Sequence, residues 1–408
     1  MPFAIYLLGL AVFAQGTSEF MLSGLGPDIA EDLSVSIPAA GALTSAFAVG
    51  MIIGAPLMAL LSLRWSRRRA LLVFLLVFLI VHVVGALTTS YEILLVTRVV
   101  GALANAGFLA VALVTATGMV EPDAKGRATA ALLGGVTIAC VAGVPAGALL
   151  GQAWGWRSAF WAVALVSVPA VVAILRAVPS AAPADAPADA APAGEVAVPS
   201  ARRELRALRS PRLGTLLALA ALVNGATFCT FTYLAPLITD VTGLGAGWVP
   251  AGLALFGIGS FLGVTLAGRI ADTRPIPLLA IGGTMLLFGW IGFALTAGSP
   301  AAAIVLVLVQ GTLSFAVGST LISQVLYAAG DAPRLAGGFA TAAFNVGAAI
   351  GPWLGGITID AGLGFRSPVW VSALLVALAL ITGGVAGLVW RRTSRARTAV
   401  AARTALRD

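Results

Sequence analysis

The sequence predicts an all-α membrane protein, with twelve transmembrane helices arranged as two pseudo-symmetric six-helix halves. Three observations carry this expectation. Of the 408 residues, 60% are hydrophobic and only 10% charged, at a mean hydropathy of +1.02. A soluble globular domain carries about 25% charged residues, so ordinary soluble folds are excluded. Apolar stretches near or above the ~20 residues needed to cross a bilayer recur twelve times. The chain also resembles itself at an offset of 209 residues.

The expected spans are 4–26, 38–61, 70–89, 92–119, 127–151, 158–178, 213–238, 247–270, 277–297, 301–328, 336–358 and 368–390. Glycine and proline inside them do not disqualify a membrane helix. The first run has no basic segment before it and no small-residue cleavage site after it, so it reads as an uncleaved helix. Connections are short except at 179–212, which is Ala/Pro/Asp-rich and then basic, with Arg202, Arg203, Arg206, Arg209 and Arg212. That composition suits a flexible cytoplasmic linker. The chain thus divides into halves at 1–178 and 213–390, with a basic cytoplasmic tail at 391–408.

The repeat pairs Gly16 with Gly225, Pro27 with Pro236, Phe47 with Phe256, Gly50 with Gly259, Gly54 with Gly263 and Gly147 with Gly356. Gly155-Trp156-Arg157-Ser158 falls on Gly364-Phe365-Arg366-Ser367, and Trp161 on Trp370. Glycine is abundant enough for chance matches; the aromatic-Arg-Ser-x-x-Trp register is more specific.

Net charge is +8, yet nucleic acid is not an expected partner, because the positive charge sits in short segments between apolar runs. With the N-terminus inside, the inner segments receive Arg64, Arg67, Arg68, Arg69, Lys125, Arg127, Arg176, the linker arginines, Arg269, Arg274, Arg334 and the C-terminal cluster. The outer segments receive only Arg157 and Arg366, with Asp28, Glu31, Asp32, Glu92, Asp240 and Asp360. The positive-inside rule then places both termini in the cytoplasm. Cys140 and Cys229 both fall in spans, without zinc-like spacing or a disulfide framework, and no metal site is expected. The chain has one His and no Gly-Lys-Ser/Thr phosphate loop, which argues against enzymatic chemistry and ATP-driven work.

Glu19 is the one carboxylate well inside a span, and Gln15, Glu19 and Ser23 recur every four residues as a polar stripe on the first helix. A carboxylate there costs several kcal/mol unless paired, hydrated or protonated. It is therefore read as a proton-binding site, with a fixed structural ion pair as the alternative. Arg98 enters the fourth span at a matching depth, roughly 10 Å below the outer boundary at 1.5 Å per residue. A buried Arg needs an acceptor, and Glu19 is the only carboxylate at that depth; backbone carbonyls are the alternative. Arg98 and desolvation act oppositely on the proton affinity of Glu19, so a cavity that opens and closes would move a proton. His82 lies at similar depth, and its apolar flanks favour packing over a proton relay.

Asn105 shares a helix face with Arg98. In the second half Asn224, Thr227, Thr230, Gln310, Ser314 and Asn345 are candidate cavity liners, each equally readable as packing glue. The repeat maps Glu19 onto Phe228 and Arg98 onto Val307. One half would handle a proton while the other offers aromatic and neutral polar surface, suiting an amphipathic, largely uncharged small molecule. Gly143, Pro145 and Gly147 crowd the fifth span, and Gly351, Pro352 and Gly356 the eleventh, as rows that let helices approach.

These residues resemble the major facilitator superfamily, specifically its drug:proton antiporters with twelve spans. Arg98 matches the Arg of that family's helix-four motif, Gln310-Gly311 resembles its Gln-Gly, and the Gly143–Gly147 run resembles the antiporter motif. Ala14-Gln15-Gly16-Thr17-Ser18-Glu19-Phe20-Met21-Leu22-Ser23-Gly24-Leu25 and Arg98–Phe108 are similar to chloramphenicol exporters of actinobacteria, as is Leu133–Cys140. The resemblance implies a monomeric exporter in the bacterial cytoplasmic membrane, driven by the proton gradient, with Glu19 and Arg98 coupling the proton. Gln15, Ser23, Asn105, Asn224, Thr227, Phe228, Gln310 and Asn345 are the substrate-binding candidates. Two departures stand out. The loop after the second span has Leu63 where the family has an acid and Ser66 where it has Gly, although Asp272 keeps the acid in the second half. Pro145 follows Val144 rather than Gly. An exporter of sugars or a native metabolite on the same fold is the nearest alternative; a membrane sensor locked by the Glu19–Arg98 pair is another.

Overall fold

The computed structural model describes residues 2–62, 65–121, 124–178, 210–271, 273–329 and 336–405. Among them there is no strand, and twelve helices are long and apolar enough to cross a membrane. They are α1 (Phe3–Phe20), α2 (Ile37–Ser62), α3 (Arg67–Leu87), α4 (Tyr91–Gly118), α5 (Lys125–Trp154) and α6 (Arg157–Ala177) in the first half. The second half holds α7 (Pro211–Thr232), α8 (Ala246–Ile270), α9 (Pro275–Thr296), α10 (Pro300–Ala328), α11 (Gly337–Leu363) and α12 (Ser367–Val389). After Met21, α1 continues as a helix over Leu22–Asp32, and α12 stays helical to Ala405, past the end expected for it. Leu63, Arg64, Asp272, Arg334 and linker positions 179–209 lie outside the described residues, as do the side chains from 390 onward.

In lipid the chain must satisfy its own backbone donors and acceptors, and a helix does so internally. The starts carry ordinary signals. Ser66 and Ser90 hydroxyls accept from the backbone N–H of Arg69 at 3.4 Å and Ile93 at 3.2 Å. Pro211, Pro275 and Pro300 sit in the first turn of their helices, where no N–H is needed. Inside α5, Pro145 offers no N–H, and the backbone widens over Ala139–Gly143 into a π-helical turn closed by Val144 N–H on the Ala139 carbonyl.

The internal repeat is a repeat of packing. In one half α1 lies along α5 and α2 along α4; in the other α7 lies along α11 and α8 along α10. A Cβ at Gly50 would meet Ala102 and Val99 of α4, and one at its counterpart Gly259 would meet Leu308 and Thr312 of α10. Gly155 (φ 78°, ψ 156°) and Gly364 (φ 73°, ψ 176°) occupy the same region, which is open only to glycine. Three residues on, Ser158 and Ser367 each donate to that glycine's carbonyl at 2.7 Å. Gly155→Ala and Gly364→Ala are each expected to cost about 1–3 kcal/mol, read as a lowered thermal unfolding temperature in detergent. An unchanged temperature would mean that these turns tolerate another backbone conformation.

Among the described residues the number of crossings is even, so α1 begins and α12 ends at the same end of the bundle. The halves seal against each other from the midplane to the opposite, distal end. There Ser45 Oγ of α2 donates to the Ala349 carbonyl of α11 at 2.7 Å, and Gln152 Nε2 of α5 donates to the Ala246 carbonyl of α8 at 2.6 Å. The Tyr233 ring, just past α7, fills a slot bounded by Gly41 of α2 and by Gly355 and Gly356 of α11; its hydroxyl donates to the Pro352 carbonyl at 2.8 Å. Arg157 pairs with Asp32 at 2.6 Å and donates to the Thr88 carbonyl at 2.9 Å, tying together the distal ends of α6, α1 and α3.

Candidate functional site

The site is built where α1 loosens. Successive residues turn by about 100° on a helix, so neighbours on α1 face different partners. Thr17 faces Gly143, where a Cβ would collide with the threonine hydroxyl, and Met21 lies over Gly147. The motif-like glycines of α5 thus clear space for α1. Ser18 turns to α3 and α4, and Phe20 meets Phe228 of α7 with ring centroids 5.6 Å apart. Glu19 falls between these two directions, toward the sector between α4 and α7. It is half-buried, and among the described residues it has no hydrogen bond and no ion pair. Arg98 and Cys140 lie within electrostatic reach of it.

Arg98 is only 2% exposed, and its acceptors come from Ser18 rather than Glu19. One amino group donates to Ser18 Oγ and the other to the Ser18 carbonyl, both at 2.9 Å. The guanidinium carbon stands 4.4 Å from the centroid of the Phe47 ring, which supplies a cation–π face to a charge without a carboxylate partner. His82 reaches the same hydroxyl: Nε2 lies 2.6 Å from Ser18 Oγ and Nδ1 2.6 Å from the Phe78 carbonyl. The lone histidine is therefore part of the polar cluster as well as packed, against Phe78 and Phe160.

Phe20, next to Glu19 in the chain, and Cys140, within its electrostatic reach, line an aromatic pocket shared by the halves, together with Thr227, Phe228, Phe231, Phe256 and Phe315. Phe231 stacks on Phe256 at 4.5 Å, and Phe256 meets Phe315 edge-on at 6.1 Å. Its free interior is about 10 Å³, room for about one water.

Of the remaining candidates, Thr227 and Phe228 line this pocket, while others spend their polar groups on backbone. Asn224 donates to the Phe344 carbonyl at 2.6 Å, Gln310 to Leu286 at 3.2 Å and Asn345 to Thr341 at 3.0 Å. Asn105 is buried with its amide 3.6 Å from Met51 Sδ. Ser23 is buried, and so is Gln15, whose amide atoms have no partner. In α11, Gly351 brings its backbone against Gly225 of α7, Gly356 borders Tyr233 and Pro38, and Pro352 supplies the carbonyl held by Tyr233. Sequence reasoning missed Ser18, Phe231, Phe256 and Phe315. The i, i+3 spacing of Phe228 and Phe231, and the repeat pairing of Phe47 with Phe256, were the available signals.

A twelve-helix bundle of two repeated halves, with a polar cluster buried in the first and an aromatic pocket shared by both, defines a secondary transporter rather than an enzyme. The Major Facilitator Superfamily model matches residues 8–337, and the chain belongs to that family. It is 55% identical to the chloramphenicol resistance protein of Streptomyces lividans, over 93% of this chain and 95% of that one. It is 33% identical to the inner membrane transport protein YdhP of Escherichia coli K12, over 93% of this chain and 94% of that one. The fold matches the crystal structure of a bacterial homologue of the human lysosomal transporter Spinster, in an inward-facing and occupied conformation. The TM-score is 0.74 at 18% identity, covering 94% of this chain and 96% of that one.

Proposed function

We propose that this transporter exports chloramphenicol or similar amphipathic, uncharged drugs across the bacterial cytoplasmic membrane, exchanging them for protons bound at Glu19. It acts as a monomer with both termini in the cytoplasm, as the distribution of arginines favours. The carrying observation is the 55% identity with the Streptomyces lividans chloramphenicol resistance protein, sustained through 93% of the chain. The geometry is in keeping with it. Five phenylalanines, one threonine and one cysteine offer an aromatic ring broad apolar contact and few hydrogen bonds. Glu19 adjoins two of the pocket's lining residues, Phe20 in sequence and Cys140 in electrostatic reach. It has no hydrogen bond or ion pair among the described residues, which leaves it open to gain and lose a proton.

With this orientation the sealed distal end faces outward. This pocket has room for about one water, and in this reading cargo enters it when the halves part. Alternating access by rocking of the halves supplies that step. One proton charge moved across the membrane yields about 2.3 kcal/mol per 100 mV. At 1.4 kcal/mol per factor of ten, this sustains a gradient of roughly fifty-fold for a neutral drug.

The test is efflux of labelled chloramphenicol from energised cells at equal membrane abundance. The wild type is expected to expel drug, an uncoupler to stop it, and Glu19→Gln to fail. An active Glu19→Gln variant would move the exchange site elsewhere; an inactive wild type would remove this cargo.

A further inference from the structure

The cluster around Arg98 contains one titratable side chain that exchange at Glu19 leaves unused, His82. Its bonds follow by elimination. The Phe78 carbonyl only accepts, so the 2.6 Å contact puts the proton on Nδ1. Nε2 of the neutral ring then only accepts, so the Ser18 hydroxyl donates to it. This turns an oxygen lone pair of Ser18 to Arg98, which donates to it at 2.9 Å. The chain of bonds runs from α4 through α1 to α3, and its middle member precedes Glu19.

We propose that His82 is a positioning residue for proton exchange: through the Ser18 hydroxyl it holds Arg98 on α1, one residue short of the carboxylate, and so leaves Glu19 free to gain and lose a proton. The inference rests on the reading of Glu19 as the exchange site. The competing arrangement is an Arg98–Glu19 ion pair. A cation within about 4–6 Å of a carboxylate holds the proton off by about 1–3 pH units. Without the acceptor on His82, the Ser18 hydroxyl turns to a carbonyl one turn back on its own helix, as Thr17 does to Phe13 at 2.8 Å. The hydroxyl oxygen keeps its lone pairs, so Arg98 loses this acceptor only as the rotation carries Oγ away from it, and Glu19 is the nearby carboxylate that then replaces it. The groups within electrostatic reach of Glu19 are Arg98 from α4 and Cys140 from α5; the α7 residues of the adjoining pocket, Thr227 and Phe228, are uncharged. His82 faces Arg98 from α4, Ser18 from α1 and Phe160 from α6. Arg98 is therefore the one charge in this set whose position bears on the carboxylate.

The experiment is an infrared titration of the purified protein in lipid nanodiscs, following the protonated-carboxyl band that Glu19→Gln removes. His82→Leu and Ser18→Ala are each expected to move its midpoint to lower pH by about 1–3 units. The double variant should move it no further than either single one, since both break the same link. His82→Gln, which keeps an acceptor at the Nε2 position, should restore the wild-type midpoint. A folded His82→Leu protein titrating like the wild type would overturn the proposal and leave His82 as packing. The titration needs no cargo, so a wild type that fails to move chloramphenicol would count against the proposed drug and leave this result standing. Absence of any band assignable to Glu19 would remove the exchange site and this inference together.

Discussion

Arg98→Lys is expected to lower energised efflux at least about tenfold at equal membrane abundance, although it conserves the charge. The guanidinium does three things at once. It donates to Ser18 Oγ, donates to the Ser18 carbonyl, and lies 4.4 Å from the centroid of the Phe47 ring. Lysine carries a compact ammonium on a flexible stem and has no planar fork to reproduce all three. A hydrogen bond to a charged group is worth about 1.5–3 kcal/mol, and losing one accounts for a tenfold effect. The freed ammonium also has Glu19 within reach, so the variant combines a loosened α1 with a neutralised carboxylate. Arg98→Ala should be worse, since it removes the charge and leaves a void among buried side chains. Drug efflux by Arg98→Lys equal to the wild type would show that any buried cation suffices, and the bidentate hold on Ser18 would lose its mechanistic weight.

Much of the fold was legible because its causes are local. Crossing a bilayer demands about 20 apolar residues, and that demand is written directly into the chain. The repeat was legible through positions where backbone geometry forces the residue, such as Gly155 and Gly364 with their shared positive φ. The site was legible in depth and not in azimuth. Counting 1.5 Å per residue brought Glu19 and Arg98 to one level, but one residue on a helix is a turn of about 100°. That single step separates the Glu19 carboxylate from Ser18, which takes the arginine. Asn224, Gln310 and Asn345 show the same limit. A polar amide in an apolar interior must find an acceptor, and here each finds a backbone carbonyl. The pattern of polar residues alone does not tell a cavity liner from such a bond.

The halves share a scaffold and divide the chemistry. Where the first half places Glu19, Phe47 and Arg98, the offset of 209 places Phe228, Phe256 and Val307 in the second. Phe47 serves as a face for the arginine, while its counterpart Phe256 belongs to the aromatic pocket. The charge is confined to the α1–α4 side, and the apolar wall is supplied mostly by α7, α8 and α10. Phe20 joins the two, adjacent to Glu19 in sequence and against Phe228 in space. Movement of α1 relative to α7 therefore alters the carboxylate's surroundings and the pocket together, which is what exchange of a proton for a drug requires.

Gly41→Leu is expected to abolish efflux by keeping the distal end from closing. A Cβ at Gly41 would overlap the Tyr233 ring, and the slot's far wall is the backbone of Gly355 and Gly356. The ring has nowhere to retreat while its hydroxyl stays on the Pro352 carbonyl. Tyr233 and Pro352 belong to the second half and Gly41 to the first, so any bulk at Gly41 acts on the joint between halves and leaves each half's own core alone. Overpacking of a well-filled site costs about 1–3 kcal/mol, a shift of roughly 5- to 150-fold in the balance between closed and open forms. Gly41→Ala should shift it less, and Tyr233→Ala in the Gly41→Leu background should return part of the closure by vacating the slot. Closure is measured by bifunctional thiol cross-linking between cysteines placed at Gln152 and Ala246, which touch across the halves in the sealed form. The expected result is a cross-linking yield that falls in Gly41→Leu and recovers in the double variant. An unaltered yield alongside lost efflux would detach Tyr233 from closure and place the defect of Gly41→Leu within α2 itself.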